Sequence, residues 1–320
     1  MNRSSLGLII FTISLLIAGS CSTSWLTLSV LQPADTVLPA SIQSISVIPM
    51  PGITSTAQQD SIDNDRDKEI NSYETKTCVI NGIYSILSSS PRFTRVVLSD
   101  TNTAWFIHNK EVHWEDLATV SKHDQTNCVL LLSRMASTGT RLFDPFSDAY
   151  GNYTIIETRL LFCNPQTQQS LARFTFTDTI RVAGVYESEG ISQLFCYAYY
   201  TAGEYIGKRL APYWIDVDRV IYRTPGRDLR DAAELAANGK WRNAGLLWSD
   251  LVTHRKVKIA SRAAFNLAFA FERDDDLEQA WLWLEYADSL RSNSLSSAYR
   301  KVLRKRLNDR EILTRQMKGN

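Results

Sequence analysis

Ile45-Ser46-Val47-Ile48-Pro49 is the stretch from which the first half of the fold follows. It is a short apolar run stopped by proline, a pattern that predicts a β-strand. Outward from it, we predict a helix with an apolar stripe from Val79 to Leu87, a strand over Arg92–Leu98, a helix over Trp114–Val120 and an apolar strand over Cys128–Leu132. Strands that alternate with helices pair in parallel through crossover connections, so we expect a parallel core sheet.

The chain after this core changes to a hairpin pattern. A loop is expected over Ala136–Gly151, followed by a first arm over Tyr153–Phe162 and a turn at Asn164–Thr167. In the second arm, Ala172, Phe174 and Phe176 alternate with polar residues, which predicts a strand with one buried face. A long helix with one apolar face is predicted from Ile191 to Ile206, and a last strand from Trp214 to Tyr222. We therefore interpret residues 41–222 as one mixed α/β domain, a small sheet with flanking helices.

Residues 227–320 carry an all-α pattern with an internal repeat. The spacing Ala264-x2-Leu267-Ala268-x2-Phe271, followed by Ala280-x3-Leu284, resembles the tetratricopeptide repeat. An earlier copy places Ala244 and Trp248 in register with Ala280 and Leu284, at an offset of 36 residues from 244 to 280. Small residues at these places let two helices approach closely. The packing positions are predicted to be Ala244, Trp248, Leu267, Ala268, Phe271 and Ala280.

The N-terminus has the pattern of an export signal. One basic residue, Arg3, precedes a mainly apolar run from Leu6 to Ala18, too short for a membrane span of roughly 20 residues. Small residues and then Cys21 follow, which resembles the lipobox of a bacterial lipoprotein and implies that Cys21 becomes the lipid-bearing N-terminus. Ordinary secretion and an uncleaved anchor are the alternatives. We expect a signal peptide over 1–20 and a lipidated N-terminus with a tether over 21–40.

Four cysteine residues remain besides Cys21. They lack metal-type spacing, and three of them lie in apolar runs. We interpret them as buried free thiols, although an oxidising compartment would allow one or two disulfides, whose pairing the sequence does not reveal. These residues are Cys78, Cys128, Cys163 and Cys196.

The loop between the first strand and the first helix contains an acidic pattern. Its oxygen-bearing residues are spaced like the ligands of an EF-hand calcium loop, and calcium takes 6 to 8 oxygen ligands. However, Lys68 occupies the position that requires a sharp-turn glycine. We interpret the stretch as a solvated surface loop and keep calcium as the alternative cofactor. The candidate ligands are Asp63, Asp65, Asp67, Glu69 and Glu74, with Asn71 between the last two.

The repeat region offers two further surfaces, each with two readings. The helix over Ala298–Met317 is the most basic stretch of the chain and is interpreted as a solvated face, with contact to phosphate groups as the alternative. Four tryptophan residues could form a peptide-binding groove, but core packing is the commoner fate of aromatic side chains at helical spacing. These are Trp241, Trp248, Trp281 and Trp283.

Several function classes find no support. The chain has 35 Lys and Arg residues against 34 Asp and Glu residues, so its charge balance does not favour nucleic acid as a partner. The motifs G-x-S-x-G, H-E-x-x-H, G-x-x-x-x-G-K-[ST] and G-x-G-x-x-G are absent from the sequence. The four histidine residues are interpreted as incidental surface residues. We therefore expect no catalytic residues.

The order of elements resembles known envelope proteins. The chain has an early I-x-V-I-P strand, two helix–strand units, a long hairpin and a closing helix. This order is similar to that of the domain shared by the curli-secretion lipoprotein and the N-terminal domain of the translocation protein TolB. With the lipobox, the proline-containing tether and the helical tail, the chain also resembles a Bacteroidota lipoprotein family of unassigned function. The resemblance covers most of residues 21–290 and carries no catalytic residues.

These patterns together predict an envelope lipoprotein. We expect it to be anchored by lipid to the membrane, on the outer membrane facing the periplasm, and to bind another envelope protein as a non-catalytic adaptor or scaffold. The rival hypothesis is a periplasmic ligand-binding or enzymatic module that uses a calcium-binding loop around Asp63.

Overall fold

A computed structural model describes residues 22–48, 73–99, 107–108, 111–144, 149–182 and 191–318. They form two compact units. The first, the sheet unit, comprises Leu31–Trp214 and the described residues from Ile312 onward. The second, the helical unit, comprises the described residues up to Val30 together with Ile215–Glu311.

The strands are β1 (Thr23–Gln32), β2 (Ser44–Ile48), β3 (Arg95–Leu98), β4 (Ile107–His108), β5 (Glu111–Val112), β6 (Cys128–Asp144), β7 (Ala149–Asn164), β8 (Gln169–Val182) and β9 (Tyr213–Tyr222). The helices are α1 (Tyr73–Ser89), α2 (Trp114–Asp124), α3 (Ile191–Leu210), α4 (Arg227–Ala237), α5 (Trp241–Leu251), α6 (Val257–Arg273), α7 (Leu277–Arg291) and α8 (Ser294–Lys318).

The sheet unit is built on a five-stranded sheet with the order β3-β2-β6-β7-β8. Strand β2 pairs in parallel with β3 on one side and with β6 on the other, which confirms the predicted parallel core. The pair β7–β8 is antiparallel, as the hairpin pattern predicted. The pair β6–β7 is also antiparallel, which was not predicted. The fold is therefore mixed α/β, with helices flanking a sheet and a helical C-terminal region.

The prediction of a loop over Ala136–Gly151 is wrong for the described residues of that range. Strand β6 continues to Asp144, and β7 begins at Ala149, with continuous antiparallel pairing up to Asp144 opposite Ala149. The prediction failed because the apolar run ends at Leu132, whereas the extension is rich in polar residues and is partly exposed. Backbone hydrogen bonds to β7 hold it in the sheet without a large apolar face.

Apolar side chains cover both faces of the central strands. Ile45, Val47 and Leu130 share one core with α1 and α3, whereas Ile48 and Val129 share another with α2. Neighbouring residues in a strand point to opposite faces, so a strand buried on both faces has a continuous apolar sequence. The apolar residues of Ile45–Ile48 therefore predict a strand, and Ser46 within it is buried with its hydroxyl hydrogen-bonded to that of Thr126.

Two glycine residues let α1 and α3 pack against each other at close range. A Cβ atom added to Gly203 would lie 2.1 Å from the Val79 carbonyl oxygen, and one added to Gly82 would lie 2.1 Å from that of Tyr200. No Cβ atom fits at such a distance, so this packing requires glycine on both helices. The crossing places one helix backbone directly against the other.

The same helix pair carries a disulfide bond. Cys78 of α1 is bonded to Cys196 of α3, across a sequence separation of 118 residues. The interpretation of these two residues as free thiols is therefore wrong. It is confirmed for Cys128 and Cys163, which are free and buried on β6 and β7. Burial raises the pKa of the Cys163 thiol to about 12 and that of the Cys128 thiol even further, so both are protonated and unreactive at neutral pH.

The helical unit begins with a strand that was predicted to be a tether. Thr23–Gln32 forms β1, which pairs with β9 in a separate two-stranded sheet. The strand predicted over Trp214–Tyr222 is confirmed, but it pairs with β1 and lies outside the five-stranded sheet. Leu28 and Val30 are buried in the core of the helical unit, which explains why this segment is ordered.

Candidate functional site

The six predicted packing residues all contribute to the core of the helical unit. Ala244 and Trp248 lie on α5, Leu267, Ala268 and Phe271 on α6, and Ala280 on α7. All are buried except Phe271, which is partly buried against the same cluster. Trp248 is fully buried, so it belongs to the core and cannot line an accessible groove.

The residues predicted to carry a lipid or a metal fall mostly outside the described residues. This applies to Cys21 and to the acidic stretch from Asp63 to Asn71, whereas Glu74 lies in the first turn of α1. Among the described residues, no group of three or more His, Cys, Asp or Glu side chains could hold a metal ion. Within the same ranges, no helix combines the length and the apolar character that crossing a membrane requires.

The helical unit contains a buried ionic network centred on Glu272, which was not predicted from the sequence. This glutamate of α6 is fully buried. Its carboxylate accepts hydrogen bonds from Arg219 of β9, with Nη2 at 2.8 Å from Oε1 and Nε at 3.0 Å from Oε2. On α8, the Tyr299 hydroxyl donates to Oε2 at 2.7 Å and Arg306 Nη1 donates to Oε1 at 3.2 Å. The network joins a strand and two helices around one carboxylate.

The network is compatible with burial because its charges are compensated. Two guanidinium groups surround one buried carboxylate, and Arg306 also contacts the exposed Asp275. Burial and the neighbouring Glu272 carboxylate raise the pKa of Tyr299 well above its ordinary value, so the phenol remains a hydrogen-bond donor. One signal in the sequence indicates that Glu272 is buried. It follows Ala268 by four positions, so it falls on the buried face of α6.

Several basic residues of α8 form ion pairs with acidic residues. Arg300 contacts Asp288, and Arg310 forms hydrogen bonds with both carboxylate oxygens of Glu278. The Arg310 hydrogen bond lowers the pKa of the exposed Glu278 to about 2. These pairs agree with the interpretation of a solvated, ion-paired face over this part of the helix.

A cavity of about 360 Å³ interrupts that face near the start of α8. Cationic side chains dominate its lining, because Asp288 is its single acidic residue and is paired with Arg300. The cavity is lined by Asp288, Ser292, Ser297, Arg300, Lys301 and Arg304.

Helix α7 presents an exposed apolar surface. Leu282 and Tyr286 are one helical turn apart and are 54% and 40% exposed. The half-buried ring of Trp283 lies against Tyr286, with 5.9 Å between the ring centroids. We call Leu282, Trp283 and Tyr286 the α7 aromatic surface.

The described residues thus define a mixed α/β protein with a helical C-terminal region. Within that region, residues 230–307 match a family model described as Domain of unknown function (DUF6340). No curated protein matches the chain.

Among solved structures, two PelC dodecamers from Paraburkholderia phytofirmans are similar to part of the chain. Their sequences are 10% and 8% identical to this chain. Each match extends over 58% of this chain and over 100% and 99%, respectively, of the PelC chains. The TM-scores are 0.26 and 0.25. At these values the similarity supports no statement about function.

Proposed function

We propose that this chain is a lipid-anchored lipoprotein of the cell envelope that acts as a non-catalytic adaptor. In this proposal the signal peptide spans residues 1–20, Cys21 carries the lipid, and the protein faces the periplasm from the outer membrane. Helices α4 to α7 form two tetratricopeptide-like repeats, with α8 as the closing helix. Another envelope protein binds to the repeat region.

The α7 aromatic surface is the observation that carries the adaptor role. This surface consists of the exposed Leu282 and Tyr286 beside the partly buried ring of Trp283. Aromatic residues are enriched in the central part of protein interfaces. The packing beneath supports this surface, because Ala280, Leu284 and Ala287 of the same helix are buried in the core. A rigid helix that presents apolar groups on its outer side is suited to binding a partner with little loss of conformational entropy.

The bond between Cys78 and Cys196 supports the envelope location. Disulfides persist in secreted and periplasmic proteins and are rare in the reducing cytosol. This bond joins two helices of the sheet unit and closes a long loop, as expected of a structural disulfide. It therefore agrees with an exported protein, independently of the signal pattern.

The adaptor role can be tested by crosslinking in intact membranes. We expect the native chain to yield a stoichiometric protein partner and the variant carrying Leu282→Ser and Tyr286→Ser to lose at least about nine-tenths of it, because truncating a central interface residue such as a tyrosine costs about 2 kcal/mol or more. Leu246→Ser on α5 is the matched control, since Leu246 is equally apolar and 61% exposed. The proposal fails if no stoichiometric protein is captured, or if all three chains capture it equally.

Lipid attachment can be tested separately with radioactive palmitate. We expect the native chain to be labelled and the Cys21→Ala variant to carry no label, because no other residue can serve as the lipid-bearing cysteine of the lipobox. Fractionation should then move the variant away from the native chain's membrane fraction, since acyl chains provide the attachment. Labelling that persists in Cys21→Ala contradicts the assignment.

A further inference from the structure

The basic cavity on α8 has the properties of a site for a phosphate group. Ser297, Lys301 and Arg304 are spaced by four and three positions on α8, so their side chains lie on one face of the helix. Ser292, the residue that follows α7, and Asp288 complete the opposite wall. The cavity therefore gathers hydroxyl and cationic side chains from two consecutive helices.

The charge in this cavity is predominantly positive. Asp288 contacts the guanidinium of Arg300, and this pair has no net charge. Lys301 and Arg304 are exposed, and neither forms an ion pair with another described residue. Two unpaired cations beside a concave surface attract an anion more strongly than the same two charges on a flat surface.

An aromatic ring restricts the movement of the arginine side chains. The guanidinium carbons of Arg300 and Arg304 lie 5.7 and 5.8 Å from the ring centroid of Trp281, within the range of a cation–π contact. A guanidinium held in this way loses less conformational freedom when it binds a phosphate through two parallel hydrogen bonds. Lys301 adds a compact point charge with three donors.

We propose that this cavity binds the phosphate group of a phosphate mono- or diester, with Lys301 and Arg304 as the principal ligands and the Ser292 hydroxyl beside them. The Ser297 hydroxyl lines the cavity but donates to the Asn293 carbonyl oxygen. Arg300 has a positioning role, because it is paired with Asp288. The inference does not depend on the adaptor role. A soluble phosphate ester and the head group of an anionic lipid present the same chemistry, and the experiment below separates the two sources.

The test is equilibrium dialysis of the full chain in a neutral detergent with radiolabelled inorganic phosphate. We expect saturable binding at one site, and a rise in Kd of at least tenfold in the double variant Lys301→Gln and Arg304→Gln, because both unpaired charges are removed. Lys258→Gln is the matched control, since Lys258 is an exposed lysine of α6 that does not line the cavity. The control should change Kd by less than twofold.

Competition then identifies the source of the phosphate. Displacement by short-chain phosphatidate at lower concentration than by glycerol 3-phosphate supports a lipid head group, and the reverse order supports a soluble ester. Both variants replace exposed side chains, and equal thermal midpoints should show that folding is unchanged. Absence of saturable phosphate binding, or an equal loss of binding in Lys258→Gln, overturns the proposal.

Discussion

Replacing Glu272 with Ala is expected to destabilise the helical unit by about 3–5 kcal/mol, because it leaves the guanidinium of Arg219 without its carboxylate and that of Arg306 with only the exposed Asp275. The side chains of Arg219 and Arg306 are only 14% and 12% exposed, so water cannot easily replace the lost partner. The substitution also removes the acceptor of the Tyr299 hydroxyl. Urea unfolding followed by tryptophan fluorescence measures the change, since the helical unit contains Trp248 and three partly buried tryptophan residues.

The control for this experiment is an exposed glutamate of the same unit. Glu278 is also paired with an arginine, but both side chains are exposed to solvent. Glu278→Ala should therefore leave the unfolding midpoint nearly unchanged, because exposed ion pairs contribute little. If Glu272→Ala and Glu278→Ala shift the midpoint equally, the buried network does not hold β9, α6 and α8 together as described.

Adding one methyl group at Gly203 is expected to cost the sheet unit about 3 kcal/mol, at the upper end of the usual cost of overpacking. The new Cβ atom of Gly203→Ala would meet the backbone of α1 at Val79, and a backbone carbonyl cannot move aside as a side-chain end can. The helices must separate, which also loosens the apolar contacts that both make with the sheet. The free energy of unfolding from urea titration measures the effect.

The same substitution in another helix should have the opposite sign. Gly245 lies within α5, and a Cβ atom added there meets no atom within 4 Å. Gly245→Ala should therefore stabilise the helical unit by about 1 kcal/mol, because alanine has the higher helix propensity. A neutral or stabilising effect of Gly203→Ala would contradict the close helix crossing.

The sequence predicted those elements that are strongly apolar. β2 and the first part of β6 are buried on both faces. The first part of β6 is therefore a continuous apolar run, and the run Ile45–Ile48 of β2 is interrupted only by Ser46, whose buried hydroxyl is hydrogen-bonded to that of Thr126. Strand β1 was missed although its signal was present, since Leu26, Leu28 and Val30 alternate with the polar Thr27 and Ser29. The segment was interpreted as a tether because residues 22–40 are uncharged except for Asp35 and contain Pro33 and Pro39.

The candidate sites were less predictable because they depend on contacts between distant residues. The basic run of α8 is evident in the sequence, but only the structure distinguishes Arg310, paired with Glu278, from Lys301, which has no ion pair among the described residues. Likewise, Arg219 and Glu272 are 53 positions apart. No local pattern brings them together, and only the packing of β9 against α6 and α8 places the groups within hydrogen-bonding distance.

If the chain is exported as proposed, the bond between Cys78 and Cys196 has a consequence for the order in which its cysteine residues are oxidised. Cys128 and Cys163 lie between its two ends in the chain, and both remain reduced in the folded protein. A chain that is oxidised progressively while it is being translocated would offer Cys128 to Cys78 before Cys196 is available. In an exported chain, the native pairing would be favoured by an oxidant that acts after translocation is complete or by an isomerase that reshuffles an early mispaired bond.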